Sequence, residues 1–147
     1  MLKLYPEYLG PTLLRYLSDE DRALLQTVTE SYKYSAEEHV IYNSDSEAIL
    51  YLIEEGKVEV VVHGEEKEKQ ITTLNAGEII GEIGFLTGRR RTADVRTLED
   101  SEIRFFEIER LQPLFQSNPD IAAKLFLSLS QILGERFANT MGQLYSN

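Results

Sequence analysis

The chain contains no cysteine, which excludes disulfides and thiolate metal sites and leaves the redox compartment open. Histidine is almost as scarce. His39 and His63 stand alone beside acidic residues at expected strand ends, with no carboxylate pair between them, and do not make a metal site. No apolar run reaches 18 residues, and Met1-Leu2-Lys3-Leu4-Tyr5-Pro6-Glu7 lacks the apolar core of a signal peptide. No membrane association and a cytoplasmic location are therefore expected. Positive charge is also short: 15 Lys and Arg against 25 Asp and Glu give a net charge of −10. That balance opposes coating of a nucleic-acid backbone. Repeats, linkers and low-complexity tracts are lacking too.

What is present fits one domain over residues 1–147. The chain has 147 residues, 42% of them hydrophobic and 27% charged, enough to bury roughly 70% of the unfolded surface around one core. Residues 1–30 read as helical. Leu9, Leu13, Leu14 and Leu17, with Pro11 suited to a first turn, predict a short helix within 1–17. Ser18-Asp19-Glu20-Asp21 is a capping signature, and Ala23, Leu24, Leu25 and Val28 follow at helical spacing, predicting a second helix over Asp19 to Thr29.

From Tyr32 the period changes to that of strands. Tyr32–Tyr34, Val40–Tyr42, Ile49–Ile53, Lys57–Val62 and Gln70–Leu74 are short strand patterns separated by turn clusters, and Ala93–Thr97 and Ile103–Ile108 add two more. Recurrence about every ten residues predicts an antiparallel sandwich or barrel over 31–108 rather than βαβ units. Helical spacing returns over 109–147. Leu111, Leu114 and Phe115 predict a helix that stops near Asn118-Pro119. Ile121, Leu125, Leu129, Ile132, Leu133, Phe137, Met141 and Leu144 then mark one long helix from Pro119 to about Tyr145. Such a helix is too long to lie wholly against so small a domain, so part of it is expected to meet a second copy or another protein.

Between the strand patterns lies Gly77 to Val95, with Gly77, Gly81 and Gly84 inside eight residues and then Arg89-Arg90-Arg91. Glycines allow close backbone approach and φ > 0. A short helix starting at Gly81 or Glu82 aims N–H groups at an anion, and an arginine beyond it can fork onto phosphate. A carboxylate repels an anion, so Glu82 makes sense if the ligand also offers hydroxyl donors, as a ribose does.

This order of elements resembles the cyclic nucleotide-binding domain family of catabolite activators, protein kinase A regulatory subunits and nucleotide-gated channels. The resemblance rests on Gly81-Glu82-Ile83-Gly84-Phe85 followed by Arg91-Thr92-Ala93-Asp94-Val95, on the strand-Gly-strand element from Ile49 to Val60, and on the glycine turn Leu74-Asn75-Ala76-Gly77-Glu78. It spans about residues 18 to 145. It implies a mainly β fold: an eight-stranded antiparallel β-sandwich or jelly-roll barrel with N-terminal helices, a short helix in the phosphate-binding cassette (81–95) and a long C-terminal helix.

The resemblance also implies roles. Glu82 would accept from the ribose 2′-hydroxyl, and Arg91 would pair with the cyclic phosphate. Amides of Ile83, Gly84 and Thr92 would complete a cradle that includes Gly81 and Ala93, with the Thr92 hydroxyl near phosphate or purine. Asn139 or Thr140 would cap the base. Arg89 and Arg90 read as a solvated charge run. Ser44 departs from the family's glycine before the third strand, so that loop is expected to differ. Catabolite activators continue into a helix-turn-helix and this sequence stops at Asn147, so direct DNA binding is not expected.

The implied function is a regulatory sensor of cAMP or cGMP, without metal, that signals by repositioning its C-terminal helix toward a homodimer mate or a partner protein. A binding-dead adaptor or dimerisation domain of the same fold is the alternative. A cupin-type barrel enzyme is a distant one, since clustered inward histidines and carboxylates, or an activated nucleophile, are missing.

Overall fold

The computed structural model describes residues 12–41, 48–63, 67–90 and 93–145. The elements run α1 (Asp19–Gln26), β1 (Glu30–Tyr34), β2 (His39–Ile41), β3 (Ile49–Glu55), β4 (Lys57–His63), β5 (Glu68–Asn75) and β6 (Ile79–Ile80). They continue with α2 (Glu82–Thr87), β7 (Asp94–Thr97), β8 (Ser101–Glu107), α3 (Ile108–Ser117) and α4 (Pro119–Tyr145). The strands form two four-stranded sheets, ordered β1-β8-β3-β6 and β2-β7-β4-β5, with every pairing antiparallel.

The first sheet is the middle layer of three. Ile49, Tyr51 and Ile53 of β3 join Ile41, Val58, Ile80, Val95 and Ile103 in a core between the sheets. Leu50 and Leu52 of the same strand point the other way, into a second core with Leu25 of α1, Leu111 and Leu114 of α3, and Ile121, Leu125, Leu129 and Ile132 of α4. Alternating side chains of a strand face opposite sides. A strand covered on both sides must therefore be apolar at every position, which is why Ile49 to Ile53 reads as an unbroken apolar run. The second sheet keeps a wet outer face, where Arg96 bridges Glu59 at 2.9 Å and Glu68 at 2.8 Å across three strands.

The alternating pattern locates seven strands; β6, only two residues long, is too short to carry a period. The helix expected over Asp19 to Thr29 stops at Gln26. The Thr27 and Thr29 hydroxyls donate to the carbonyls of Leu24 and Leu25, so side chains take over the last turn and release the chain into β1. Its start follows the capping signature: Asp21 N–H donates to Ser18 Oγ, and Ser18 N–H donates to the Asp21 carboxylate, both at 3.1 Å. Of the helix expected within 1–17, residues 1–11 lie outside the described residues, and 13–16 form turns. Leu13 and Leu17 are nonetheless buried in the helical core. Ser44 also lies outside the described residues. Ile108 begins α3 rather than ending β8.

α4 spans 27 residues, about 40 Å at the helical rise. Its buried residues are Ile121, Leu125, Ser128, Leu129 and Ile132. The Ser128 hydroxyl donates to the Leu13 carbonyl, Tyr16 O–H donates to Gln131, and Lys124 pairs with Asp21 at 2.9 Å. Beyond Ile132, Phe137, Leu144 and Tyr145 are 67%, 68% and 80% exposed.

Phe106 is fully buried beneath the helices, so Phe106→Ala should cost about 3–5 kcal/mol in a denaturant titration. The Lys124 ammonium, donating a hydrogen bond, and then the Ser18 N–H hold the Asp21 carboxyl below the usual carboxylate range. The folded pKa lies below the unfolded one, so this contribution is present above the unfolded pKa and lost as pH falls through the folded value. Asp21→Asn should lower the thermal midpoint at neutral pH, and its deficit against the parent should shrink below about pH 4.

Candidate functional site

β6 hangs the cassette on the middle sheet. Ile79 and Ile80 pair with Leu52 and Tyr51 of β3. Just before them Gly77 N–H donates to the Ile53 carbonyl at 2.7 Å, and Ile53 N–H donates to Glu78 at 3.0 Å. The chain then reverses at Gly81, whose φ of 81° lies in the left-handed region that a side chain would strain. α2 follows at once and ends after one and a half turns at Gly88, whose N–H donates to the Gly84 carbonyl at 2.8 Å. Phe85 is the anchor of this short helix. It is 5% exposed, belongs to the helical core, and stacks near Phe126 of α4 with ring centroids 6.5 Å apart.

Because Phe85 faces inward, the start of α2 and Glu82 border a cavity of about 730 Å³ between the sheets and α4. One wall is apolar, formed by Ile41, Val60, Leu74, Ile80 and Val95. The floor is the cassette itself, where Gly81, Glu82, Ile83, Gly84 and Ala93 all line the space. The far side is a polar stripe on α4, Arg136, Asn139, Thr140 and Gln143, whose three- and four-residue steps put them on one helical face.

Glu82 and Arg136 meet inside this space. Arg136 Nη1 lies 2.9 Å from Glu82 Oε1, with the two side chains 32% and 15% exposed. Its Nη2 donates to the Ile79 carbonyl at 2.8 Å. One guanidinium thus fastens α4 to both the carboxylate of the cassette and the strand that carries it. A carboxylate has two oxygens and about four acceptor sites, so a hydroxyl donor can still reach Glu82 while Arg136 holds Oε1.

The structure brings Gly81, Glu82, Ile83, Gly84, Ala93 and Thr140 of the expected site around one cavity. Arg91 and Thr92 lie outside the described residues. Arg89 and Arg90, read from the sequence as a solvated run, are exposed and also border the cavity. Arg136 was not among the residues expected at the site. The only signal for it is its place four residues before Thr140, on the same helical face. Among the described residues no cluster of three or more His, Cys, Asp or Glu could hold a metal ion, and no helix is long and apolar enough to cross a membrane.

Comparison with known proteins agrees with this geometry. The family model of the cyclic nucleotide-binding domain matches residues 32–118. The chain is 33% identical over 113 residues to the cAMP-activated global transcriptional regulator CRP of Escherichia coli O6:H1, covering 74% of this chain and 54% of that protein. It is 33% identical over 94 residues to the cAMP-dependent protein kinase type II regulatory subunit of Drosophila melanogaster, covering 63% of this chain and 25% of that one. The chain therefore spans about half the length of the bacterial relatives it matches, and less of the kinase subunit.

Among solved structures, a cyclic nucleotide-binding domain from Methylobacillus flagellatus superposes with a TM-score of 0.81 at 22% identity, covering 93% of this chain and 75% of that one. The catabolite activator protein of Thermus thermophilus gives 0.73 at 27% identity, covering 91% and 62%. With a family model that matches most of the β-roll and cassette, and regulators rather than enzymes as its relatives, the chain belongs to the cyclic nucleotide-binding domain family.

Proposed function

We propose that this chain is a cyclic nucleotide sensor module, not an enzyme, whose cavity takes cAMP or cGMP between the β-roll and α4. The observation that carries this reading is the convergence of Glu82, the amide-bearing start of α2 and the polar face of α4 on one space of about 730 Å³. Ribose 2′-hydroxyl donates to Glu82, and the cyclic phosphate is held by the amides of Ile83, Gly84 and Thr92 together with Arg91. The cAMP-responsive relatives support the ligand class.

Signalling follows from what ties α4 down. Its first half is fixed by buried side chains, whereas Arg136 joins its second half to the cassette. A ligand that adds contacts to both sides of the cavity biases the position of the second half. Phe137, Leu144 and Tyr145 project from that half and are the surface through which a second copy or a partner protein reads the change. A binding-dead adaptor is the competing reading, because Glu82 has an ionic partner within the chain, Arg136. The setting in which the module works is the cytoplasm.

Titration calorimetry separates the two. Heat is expected with cAMP or cGMP and not with 5′-AMP, and silence with both cyclic nucleotides at millimolar concentration favours the adaptor. Arg91→Ala should weaken binding by on the order of 2–4 kcal/mol, as loss of a charge-assisted fork does. Arg89→Ala should change little, and equal losses would show that the phosphate contact is misassigned. In the ligand-free protein, Arg136→Ala should raise hydrogen exchange of amides over 133–145 and leave 121–132 protected.

A further inference from the structure

Arg89 and Arg90 have no part in the function proposed above, yet both border the cavity. Among the described arginines they are the two whose guanidinium groups have no hydrogen bond, ion pair or ring contact. Arg15 lies over the Tyr16 ring, Arg22 donates to the Leu14 carbonyl, Arg96, Arg104 and Arg110 pair with carboxylates, and Arg136 pairs with Glu82. Two adjacent free cations are thus the exception in a chain of net charge −10.

Local structure holds this pair beside the cavity. Gly88 closes α2 at φ 71°, in the left-handed region that a side chain would strain. Arg89 N–H then donates to Thr87 Oγ1 at 3.2 Å, and the Thr87 hydroxyl donates to the Ile83 carbonyl at 2.6 Å. The backbone at Arg89 is therefore tied to the helix that carries Glu82. The two carboxylates that border the same space are turned elsewhere. Glu82 is paired with Arg136, and Glu78 accepts from Asn75 N–H at 2.7 Å. Neither offsets the charge of Arg89 and Arg90.

A cyclic mononucleotide brings one phosphodiester, and on the function proposed above the cassette takes it. A guanidinium fork matches phosphate geometry, so the group that suits Arg89 and Arg90 is a second phosphodiester. The space admits a larger ligand. Its volume of about 730 Å³ lies in the upper half of the range of about 300–1,000 Å³ that small-molecule sites span. Ile71, 58% exposed, also lines it and offers apolar surface to a second base.

We infer that Arg89 and Arg90 form a second anion subsite, through which the cavity takes a cyclic dinucleotide as well as a mononucleotide. One ribose hydroxyl donates to Glu82, the adjoining phosphate sits in the cassette, and the second phosphate lies on the two arginines. The assignment rests on the cavity being a cyclic nucleotide site and extends its ligand class from one phosphodiester to two.

Calorimetry of the full chain tests it, with cAMP and cGMP beside cyclic di-AMP and cyclic di-GMP. At least one dinucleotide should bind, and Arg89→Ala with Arg90→Ala should weaken it roughly tenfold or more, the size of one lost charge-assisted contact. The same double variant should leave mononucleotide affinity within about twofold, since its phosphate is held elsewhere. Both positions are exposed, and circular dichroism checks that the variant stays folded. Mononucleotide binding without dinucleotide binding would overturn the second subsite and leave the cyclic nucleotide reading standing. An unchanged dinucleotide affinity in the double variant would overturn the roles of Arg89 and Arg90. Equal losses for both ligand classes would also overturn the subsite, because they would mean that the arginines only attract anions at long range. Absence of binding by all four ligands would overturn the cyclic nucleotide reading and this one with it.

Discussion

β3 is sealed on both faces, and that double burial fixes where every functional element of this chain can sit. Ile49, Tyr51 and Ile53 fill the core between the sheets, while Leu50 and Leu52 fill the core under the helices. Fully burying such a side chain is worth roughly 1.5–3 kcal/mol, so slipping β3 by one residue would exchange its two sets of side chains between two differently shaped cores. The register of β3 is therefore strongly held. β6 pairs with it through only two residues, and the cassette inherits its position from that short pairing. Phe85 then pins α2 into the same helical core that holds α4. Strand and helix thus reach the cavity from one shared foundation, and the approach of Glu82 to Arg136 follows from it.

Much of this fold is legible in the sequence because the deciding interactions are local. The capping box at Ser18 and Asp21 acts within one helical turn, turn clusters bound most strands, and the 3.6-residue stripe over α4 matches its span from Pro119 to Tyr145. What escapes has a non-local cause. β6 exists because β3 offers a free edge, which no two-residue period can announce. The end of α1 is the exception, a local competition in which threonine hydroxyls take carbonyls three and four residues back. The three-layer arrangement is written only in the unbroken apolar run of β3, which a helix segment could also present.

The site divides the same way. Glu82 and its glycines stand out because backbone reversal and anion approach demand unusual residues close together. Arg136 does not, since an arginine on a helix is ordinary and its function depends on the angle at which α4 passes the cassette. Periodicity fixes which residues share a face of α4 but not which neighbour that face meets. That angle is set by Ile121, Leu125, Leu129 and Ile132, which pack into the helical core from the first half of α4 and lie at three- and four-residue steps on the same face as the polar stripe, so the cavity end of the helix is positioned by its buried end.

The Glu82–Arg136 pair also limits how a ligand can act on α4. A ligand moves an equilibrium only by its difference in affinity for the two states. Arg136 spans from α4 to both Glu82 and the Ile79 carbonyl, so a ligand in this cavity would act on α4 through that contact only by changing it. On the function proposed above, a ribose hydroxyl on the remaining acceptor sites of Glu82 would leave the pair intact and alter α4 little. On that proposal the differential energy would have to come from contacts that bridge the sheet wall and α4 across the cavity they both line.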